Sequence, residues 1–351
     1  MNVVGALIKK LAENDILHLR ESIFALGPEY RPQVNANRIE HEPLSLIIGE
    51  HPSEYSVSPL MWNAELKFRG AKGVFIPIDI PAARARDVRT LLDIAFAAGA
   101  EHFRVLTITN PYKIQALDYF REQALKFRGR VNISEDADLI GATNQILVDR
   151  DNVFHVINSD GQGMANAIGT YLAEQGMGEV KNKRIGIIGA GGASRGIMYE
   201  LAKRMNRGSG SIALFNRTEA KAIDLVRDLS QFFRMVLMTA HPLSELADVV
   251  GDLEVLVSCI TEGNPLAEYG IYEMLRPGTL IVDANYGKNS VLASGAAQAG
   301  RDDLVVRDGA GMVVEGYRIP SRTLSNLWRY SVPASTYTQI GKLFGYVPRR
   351  I

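Results

Sequence analysis

A glycine-rich turn at residues 189–193 is the first place where this sequence could perform chemistry. An apolar run at 184–188 precedes the turn, and an apolar segment with helical spacing at 197–201 follows it. In a strand, turn and helix of this order, glycines permit a tight turn and close backbone approach, and the free N–H groups of the helix start attract a pyrophosphate. We therefore predict a dinucleotide site formed by Gly189, Ala190, Gly191, Gly192 and Ala193. For the glycines alone, an ordinary turn is the alternative.

The following strand, predicted at 211–215, indicates which dinucleotide fits. A site specific for NAD usually ends this strand in an acid that binds the ribose 2′-hydroxyl. Here the strand ends in Asn216, Arg217 and Thr218, and Lys221 follows one turn later. Cationic and hydrogen-bonding side chains suit a 2′-phosphate, so these residues favour NADP over NAD. The alternative is a solvated helix start, although cations there oppose the helix dipole.

Four short polar segments lie outside this unit, at residues 55–59, 107–113, 140–144 and 158–161. Each lies where a predicted strand ends or a predicted helix begins. Open α/β sheets place ligand groups at these positions. The segments are therefore candidates for binding and catalysis.

Strands that alternate with helices must position these segments. The predicted strands are at 44–48, 73–77, 103–108, 140–147, 153–157, 184–188, 211–215, 235–238, 255–258 and 280–282. The predicted helices are at 59–68, 82–97, 111–120, 164–175, 197–201 and 312–329, and a charged helix and loop is expected at 122–138. Alternation of this kind is typical of a mostly parallel α/β fold. A chain of 351 residues is about right for two domains.

Bulk composition excludes several classes of protein. Lys and Arg total 39 and Asp and Glu total 39, so the zero net charge gives no support for a nucleic-acid or membrane partner. Cys259 is the only cysteine, which excludes an internal disulfide and fits a reducing cytoplasm. No apolar run reaches the length of about 18 residues that a membrane span needs. The six histidines show no metal-binding spacing, so we predict no metal.

The ordered set of motifs resembles the shikimate dehydrogenase family over roughly residues 44–316. The resemblance implies two α/β domains with a cleft between them and a reversible hydride transfer between nicotinamide and a ring hydroxyl or ketone. Residues 1–42, whose short apolar runs are broken by charged residues, are interpreted separately as an amphipathic helical extension rather than a signal peptide. The resemblance implies a substrate domain at 43–160, completed by a returning segment at 312–351. A Rossmann-type NADP domain would occupy 161–311. The implied partner is a small cyclic carboxylic acid, and a homodimer is left open.

Matching motifs also carry over individual residues. Lys113 and Asp160 resemble the catalytic pair, since oxidation of an alcohol needs a group that takes its proton. Ser56, Ser58 and Tyr286 match residues that hold the substrate carboxylate, and Thr109 and Asn144 match residues that contact ring hydroxyls. Each residue also has a purely structural alternative. Lys113 could be a solvated lysine, Asp160 and Ser58 could be helix caps, and Tyr286 could be a packed core ring. Thr109 and Asn144 could make turn and strand-end hydrogen bonds.

Four positions depart from the family's pattern. Tyr55 and Trp62 stand where histidine is usual, Thr107 where asparagine is usual, and Gly316 where a glutamine reaches the ring hydroxyls. A site that lacks a polar partner discriminates less well for that hydroxyl, so we predict an altered substrate preference. A catalytically weak nucleotide-binding sensor of the same fold is the alternative, and a folate-type substrate is disfavoured by the paired serines.

Overall fold

The structure is a computed structural model, and it describes residues 42–260, 263–287 and 290–346. The predicted extension up to residue 41 and the last residues of the returning segment, 347–351, lie outside the described residues. Contacts between Cα atoms divide the chain into two compact units. Unit 1 contains the described residues up to Ser159 together with Tyr317–Ile340, and unit 2 contains the described residues of Asp160–Gly316 and those from Gly341 to Tyr346. The prediction of an α/β fold with two domains is confirmed.

Unit 1 is built on a six-stranded mixed sheet in the order β2-β1-β3-β5-β6-β4. β1, β2 and β3 are parallel, whereas β5 runs antiparallel to both of its neighbours. β1 and β2 are buried along their whole length, as expected for parallel strands covered on both faces. The strands are β1 (Leu44–Gly49), β2 (Val74–Asp79), β3 (Phe103–Ile108), β4 (Val131–Ile133), β5 (Gln145–Val148) and β6 (Phe154–Ile157).

Five helices connect these strands: α1 (Pro52–Tyr55), α2 (Ser58–Phe68), α3 (Arg86–Ala98), α4 (Lys113–Lys126) and α5 (Glu135–Ile140). The region expected to be a helix and loop at 122–138 also holds a short strand and the start of α5. That helix begins where Ser134 Oγ accepts a hydrogen bond from Ala137 N, and it ends at Gly141, whose φ is 73°. Short 3-10 turns occupy Ala82–Arg84 and Gly99–Glu101.

Unit 2 contains a six-stranded parallel sheet in the order β12-β11-β10-β7-β8-β9. The strands after β7 are added on one side of it, through β8 to β9, and the strands from β10 to β12 are added on the other side. Open parallel sheets bind dinucleotides at the carboxyl ends of the strands where the strand order reverses in this way. The strands are β7 (Arg184–Ile188), β8 (Ser211–Asn216), β9 (Leu237–Pro242), β10 (Val255–Ser258), β11 (Leu280–Asp283) and β12 (Val305–Arg307).

The helices of unit 2 are α6 (Asp160–Glu174), α7 (Gly192–Met205), α8 (Glu219–Ser230), α9 (Leu246–Val249), α10 (Pro265–Glu268) and α11 (Leu292–Gln298). α12 (Ala310–Trp328) and α13 (Ala334–Leu343) complete the fold, with 3-10 turns at Val180–Asn182, Leu243–Glu245 and Val250–Asp252. Among the described helices, none is long and apolar enough to cross a membrane.

Candidate active site

Thr109 lies just beyond the carboxyl end of β3, beside the end of β1. Its backbone N–H donates to Ile48 O at 2.9 Å. A Cβ atom on Gly49 would lie 2.2 Å from Thr109 Cγ2, so a larger residue at position 49 would displace the Thr109 side chain. Tyr55 OH lies 3.1 Å from Thr109 Oγ1, and desolvation raises the pKa of this phenol above its ordinary value. Tyr55 therefore supplies a neutral hydrogen-bonding group where the family usually has histidine.

Ser56 and Ser58 lie in the short link between α1 and α2. The N–H of Ser58 donates to Ser56 Oγ at 3.2 Å. The N-cap of α2 is Val57, which makes no side-chain capping bond, so Ser58 is not the cap that its sequence position allowed. Both serines are half-buried. Their hydroxyls stand at a helix N-terminus, where the dipole favours an anion.

Lys113 is the first residue of α4, and hydrogen bonds of Lys113 and of the residue before it fix the start of this helix. Its carbonyl accepts a hydrogen bond from Thr143 N at 3.1 Å. The preceding residue, Tyr112, is buried and donates from its hydroxyl to Ile80 O at 2.6 Å. Lys113 itself is half-buried. The helix start is thus fixed to the ends of neighbouring strands before any ligand is considered.

Asn144 and Ser159 form a reciprocal pair between the start of β5 and the end of β6. Ser159 N donates to Asn144 Oδ1 at 2.8 Å, and Asn144 Nδ2 donates to Ser159 Oγ at 3.1 Å. Asn158 Nδ2 donates to Ala142 O at 3.0 Å beside them. Sequence reasoning missed this pairing, although the polar segments 140–144 and 158–161 contain both partners. Asn144 therefore positions the backbone next to Asp160, and its contact with a ring hydroxyl stays a prediction.

Asp160 is the first residue of α6 in unit 2, and two glycines fix the turn that follows it. A Cβ on Gly161 would lie 2.0 Å from Gly196 O, on α7. A Cβ on Gly163 would lie 2.7 Å from Gly316 Cα, on α12. Close backbone approach of this kind requires glycine. Gly316, which replaces the usual glutamine, thus takes part in a helix-to-helix contact.

At two other positions that depart from the family's pattern, the side chain makes contacts within unit 1. Thr107 is buried, and its hydroxyl donates to Gln145 Oε1 at 2.9 Å. Trp62 stacks on Phe75 with ring centroids 5.8 Å apart and meets the edge of Tyr317 at 5.1 Å. Trp62 is therefore part of the packing of unit 1.

The glycine turn has an open, uncapped helix start. Gly189 has φ 102°, a conformation that favours glycine. A Cβ on Gly191 or Gly192 would meet nothing within 4 Å, so space lies next to this backbone. No side chain caps α7 at Gly191. The N–H groups at Gly192, Ala193 and Ser194 have no partner within their own helix, and this arrangement fits a pyrophosphate.

Asn216 connects this turn to the end of β8. Its Oδ1 accepts from Ala190 N at 3.1 Å, and its Nδ2 donates to Thr218 O at 2.8 Å. Arg217, Thr218 and Lys221 are exposed, and Thr218, the N-cap of α8, makes no side-chain capping bond. This group of donors and cations fits the 2′-phosphate of NADP.

Tyr286 and Cys259 follow the ends of β11 and β10. Tyr286 is half-buried, so it is not the fully packed core ring that was the alternative. Desolvation raises the pKa of the Cys259 thiol to about 12, which keeps it protonated at neutral pH. Within the described ranges, no group of three His, Cys, Asp or Glu residues could hold a metal ion.

The structure therefore gathers the candidate residues into two sets. Unit 1 brings Ser56 next to Ser58, Tyr55 next to Thr109, and Lys113 next to the segment that contains Asn144. Unit 2 carries Asp160, Tyr286 and the dinucleotide turn. The dinucleotide turn and Tyr286 follow carboxyl ends of strands in the unit 2 sheet, whereas Asp160 follows β6 of the unit 1 sheet.

Comparisons with known proteins find several shikimate dehydrogenases. A family model described as shikimate / quinate 5-dehydrogenase matches residues 171–286. A shikimate dehydrogenase (NADP(+)) of Methanocaldococcus jannaschii is 36% identical over 185 residues, which cover 53% of this chain and only 56% of that relative. A shikimate dehydrogenase (NADP(+)) of Shouchella clausii is 29% identical over 277 residues, covering 76% of this chain and 87% of that relative. A crystal structure of a shikimate dehydrogenase in complex with NADP+ matches with a TM-score of 0.64 at 25% identity, covering 88% of this chain and 96% of that one.

Proposed function

The chain belongs to the shikimate dehydrogenase family, and on this premise we propose that it is an NADP-dependent oxidoreductase. It interconverts a ring hydroxyl and a ring ketone of a shikimate- or quinate-like carboxylic acid. The observation that carries the proposal is the open glycine turn of unit 2, which lies where the strand order of the parallel sheet reverses. Residues 161–311 form the NADP domain, and 43–160 with 312–351 form the substrate domain.

The cofactor is held by backbone and side-chain groups of the glycine turn and of the residues that end β8, which together form the proposed cofactor cradle. The N–H groups at the start of α7 bind the pyrophosphate, and Arg217, Thr218 and Lys221 bind the 2′-phosphate. Asn216 fixes the positions of these two regions relative to each other through its hydrogen bonds to Ala190 N and Thr218 O. When bound, NADP accepts or supplies a hydride at nicotinamide C4.

The substrate carboxylate is held by hydroxyl groups. Ser56, Ser58 and Tyr286 bind it without a buried cation, at roughly 1 kcal/mol for each hydrogen bond. Thr109 and Asn144 contact the ring hydroxyls. The hydroxyl of Thr107 is hydrogen-bonded to Gln145, and Gly316 has no side chain. The set of residues that contacts the ring hydroxyls therefore differs from the family's pattern. The preferred acid therefore differs from that of relatives with the full set.

Lys113 and Asp160 move the proton. In the oxidising direction Nζ of the neutral Lys113 amine takes the proton of the reacting hydroxyl, while a hydride leaves the carbon that carries this hydroxyl. In the reducing direction the ammonium donates that proton to the forming alkoxide. Asp160 orients the ammonium and the hydroxyl, and the glycine contacts of α6 hold its backbone in place.

Nicotinamide reduction, followed by absorbance over a panel of shikimate, quinate and related ring acids, tests the proposal. We expect at least one acid to support turnover, with NADP+ preferred over NAD+ by about tenfold or more. Absence of turnover with every acid, while NADP+ still binds, would instead favour a sensor that kept the fold and lost catalysis.

A further inference from the structure

A cavity of about 370 Å³ lies within unit 1. Ser45, Val74 and Arg104 line it near the amino-terminal ends of β1, β2 and β3. The proposed catalytic residues of this unit follow the carboxyl ends of strands in the same sheet. With a rise of about 3.3 Å per residue along a strand, Arg104 lies about 16 Å from Thr109. The cavity is therefore separate from the proposed catalytic site.

The lining of the cavity carries an excess of positive charge. Its acid is Glu65, whose buried carboxylate accepts hydrogen bonds from Arg69 at 3.1 Å, from Ser321 at 2.6 Å and from Tyr317. The charge of Arg69 is thus matched. The remaining cations of the lining have no acidic partner within ion-pair distance in the part of the chain that the structure describes: Lys72, Arg104, Arg150 and Arg329. Like charges that converge on a small cavity attract an anion.

Arg104 is the most desolvated of these cations. It donates to Phe103 O at 3.0 Å and to Ala100 O, and its guanidinium lies 4.0 Å from the ring centroid of Trp328. Desolvation lowers its pKa to about 10, so the group still carries its charge at neutral pH. Arg150 lies 5.4 Å from the same ring. A half-buried cation without a counter-charge is unfavourable, and a bound anion would relieve that cost.

Aromatic side chains form much of the remaining wall. Trp62, Phe75, Trp328 and Tyr330 all line the cavity, and aromatic rings favour a flat apolar ligand. The hydroxyl of Tyr330 is buried and makes no hydrogen bond of good geometry within the described residues, although the guanidinium of Arg69 lies over the same ring, 3.5 Å from its centroid. Buried hydroxyls are normally paired, and an oxygen atom of a ligand would supply the missing partner.

We propose that this cavity is a second ligand site that binds a small aromatic carboxylate. The carboxylate binds Arg104 and Arg150 and accepts a hydrogen bond from the Tyr330 hydroxyl, while the ring packs against the half-buried rings of Trp328 and Tyr330. The volume lies at the lower end of the range for ligand pockets, which suits an acid with one ring. The proposal does not depend on the dehydrogenase activity.

Tryptophan fluorescence of the full chain tests the site directly, because both tryptophans of the sequence, Trp62 and Trp328, line the cavity. We expect benzoate to change the emission saturably. Benzamide, which has the ring without the charge, and inorganic phosphate, which has charge without the ring, should each bind about tenfold or more weakly. No saturable response to benzoate, or equal affinity for either analogue, would overturn the proposal.

Substitutions locate the site. Arg104→Gln and the more exposed Arg150→Gln should each weaken benzoate binding about tenfold or more, and the melting temperature reports whether each variant folds. Arg234→Gln, an exposed arginine of unit 2, is the matched control and should bind as the parent does. Ser58→Ala should also leave benzoate affinity unchanged. A loss of affinity in Ser58→Ala, or unchanged affinity in both cavity variants, would place benzoate elsewhere and refute the proposal.

Discussion

The carbonyl oxygen of Gly196 lies 2.0 Å from the point that a Cβ atom on Gly161 would occupy. The two glycines belong to α7 and α6, the helix that follows the dinucleotide turn and the helix that begins with Asp160. A single backbone contact within unit 2 therefore fixes a proposed catalytic residue relative to the proposed cofactor cradle.

Gly161→Ala should destabilise the protein and lower its turnover. The added methyl group meets backbone atoms, which cannot rotate away, and overpacking of this kind costs about 1–3 kcal/mol. Urea unfolding and steady-state kinetics measure the two effects. Gly169→Ala is the matched control in α6, because a Cβ there meets nothing within 4 Å and alanine favours the helix by about 0.5–1 kcal/mol. Equal stability of the two variants would contradict the contact.

Lys113→Ala should lower turnover by about 10²–10⁴-fold, the usual contribution of a positioned acid or base, while NADP binding is retained. Lys126→Ala removes a lysine at the other end of the same helix, where the side chain is 57% exposed and 3.8 Å from Glu122, and should leave turnover near that of the parent. Rate assays and NADPH fluorescence titration separate the two properties. Unchanged turnover in Lys113→Ala would remove the proposed relay.

Arg217→Ala should lower kcat/KM for NADP+ by about 10- to 100-fold, since a hydrogen bond to a charged group contributes about 1.5–3 kcal/mol. The value for NAD+, which lacks the 2′-phosphate, should barely change. Arg227→Ala, near the other end of α8 and paired with Asp224 at 2.8 Å, is the control. Equal losses with both cofactors would mean that Arg217 does not read the phosphate.

Cys259 should make stability depend on alkaline pH. Because desolvation raises the pKa of the folded thiol to about 12, the folded state holds its proton more tightly than the unfolded state, where the pKa is about 8.5. The contribution is complete below pH of about 8.5 and is lost as pH rises toward 12. Unfolding free energies of the parent and Cys259→Ala across this window should therefore converge as pH rises. A constant difference would show that the thiol pKa is not raised.

Features that depend on local chain chemistry were predictable from sequence. β3, β7 and β10 have the bounds that the sequence predicted, because each is short, mostly apolar and mostly buried. The glycine turn is equally local, since backbone conformation and a missing side chain define it. β4 and β12 were missed because each has only three residues and none is fully buried, so no periodic pattern marks them.

Contacts between distant segments could not be predicted in this way. The pairing of Asn144 with Ser159 depends on β5 and β6 being antiparallel neighbours, which no local pattern states. No local pattern indicates that Gly161 and Gly163 pack closely against two other helices. Trp62 stands at a position where histidine is usual, yet its environment is set by Phe75 and Tyr317.

The buried carboxylate of Glu65 has a consequence for biosynthesis. Its partner Tyr317 is 252 positions away, and Ser321 is further still. A ribosome therefore releases the whole of the first sheet, and then most of unit 2, before the hydroxyls that stabilise this charge leave the exit tunnel. Unit 1 is translated first, but it cannot complete its folding until α12 has been translated. A nascent chain that stalls before that point should expose Glu65 and be a substrate for chaperones and proteases.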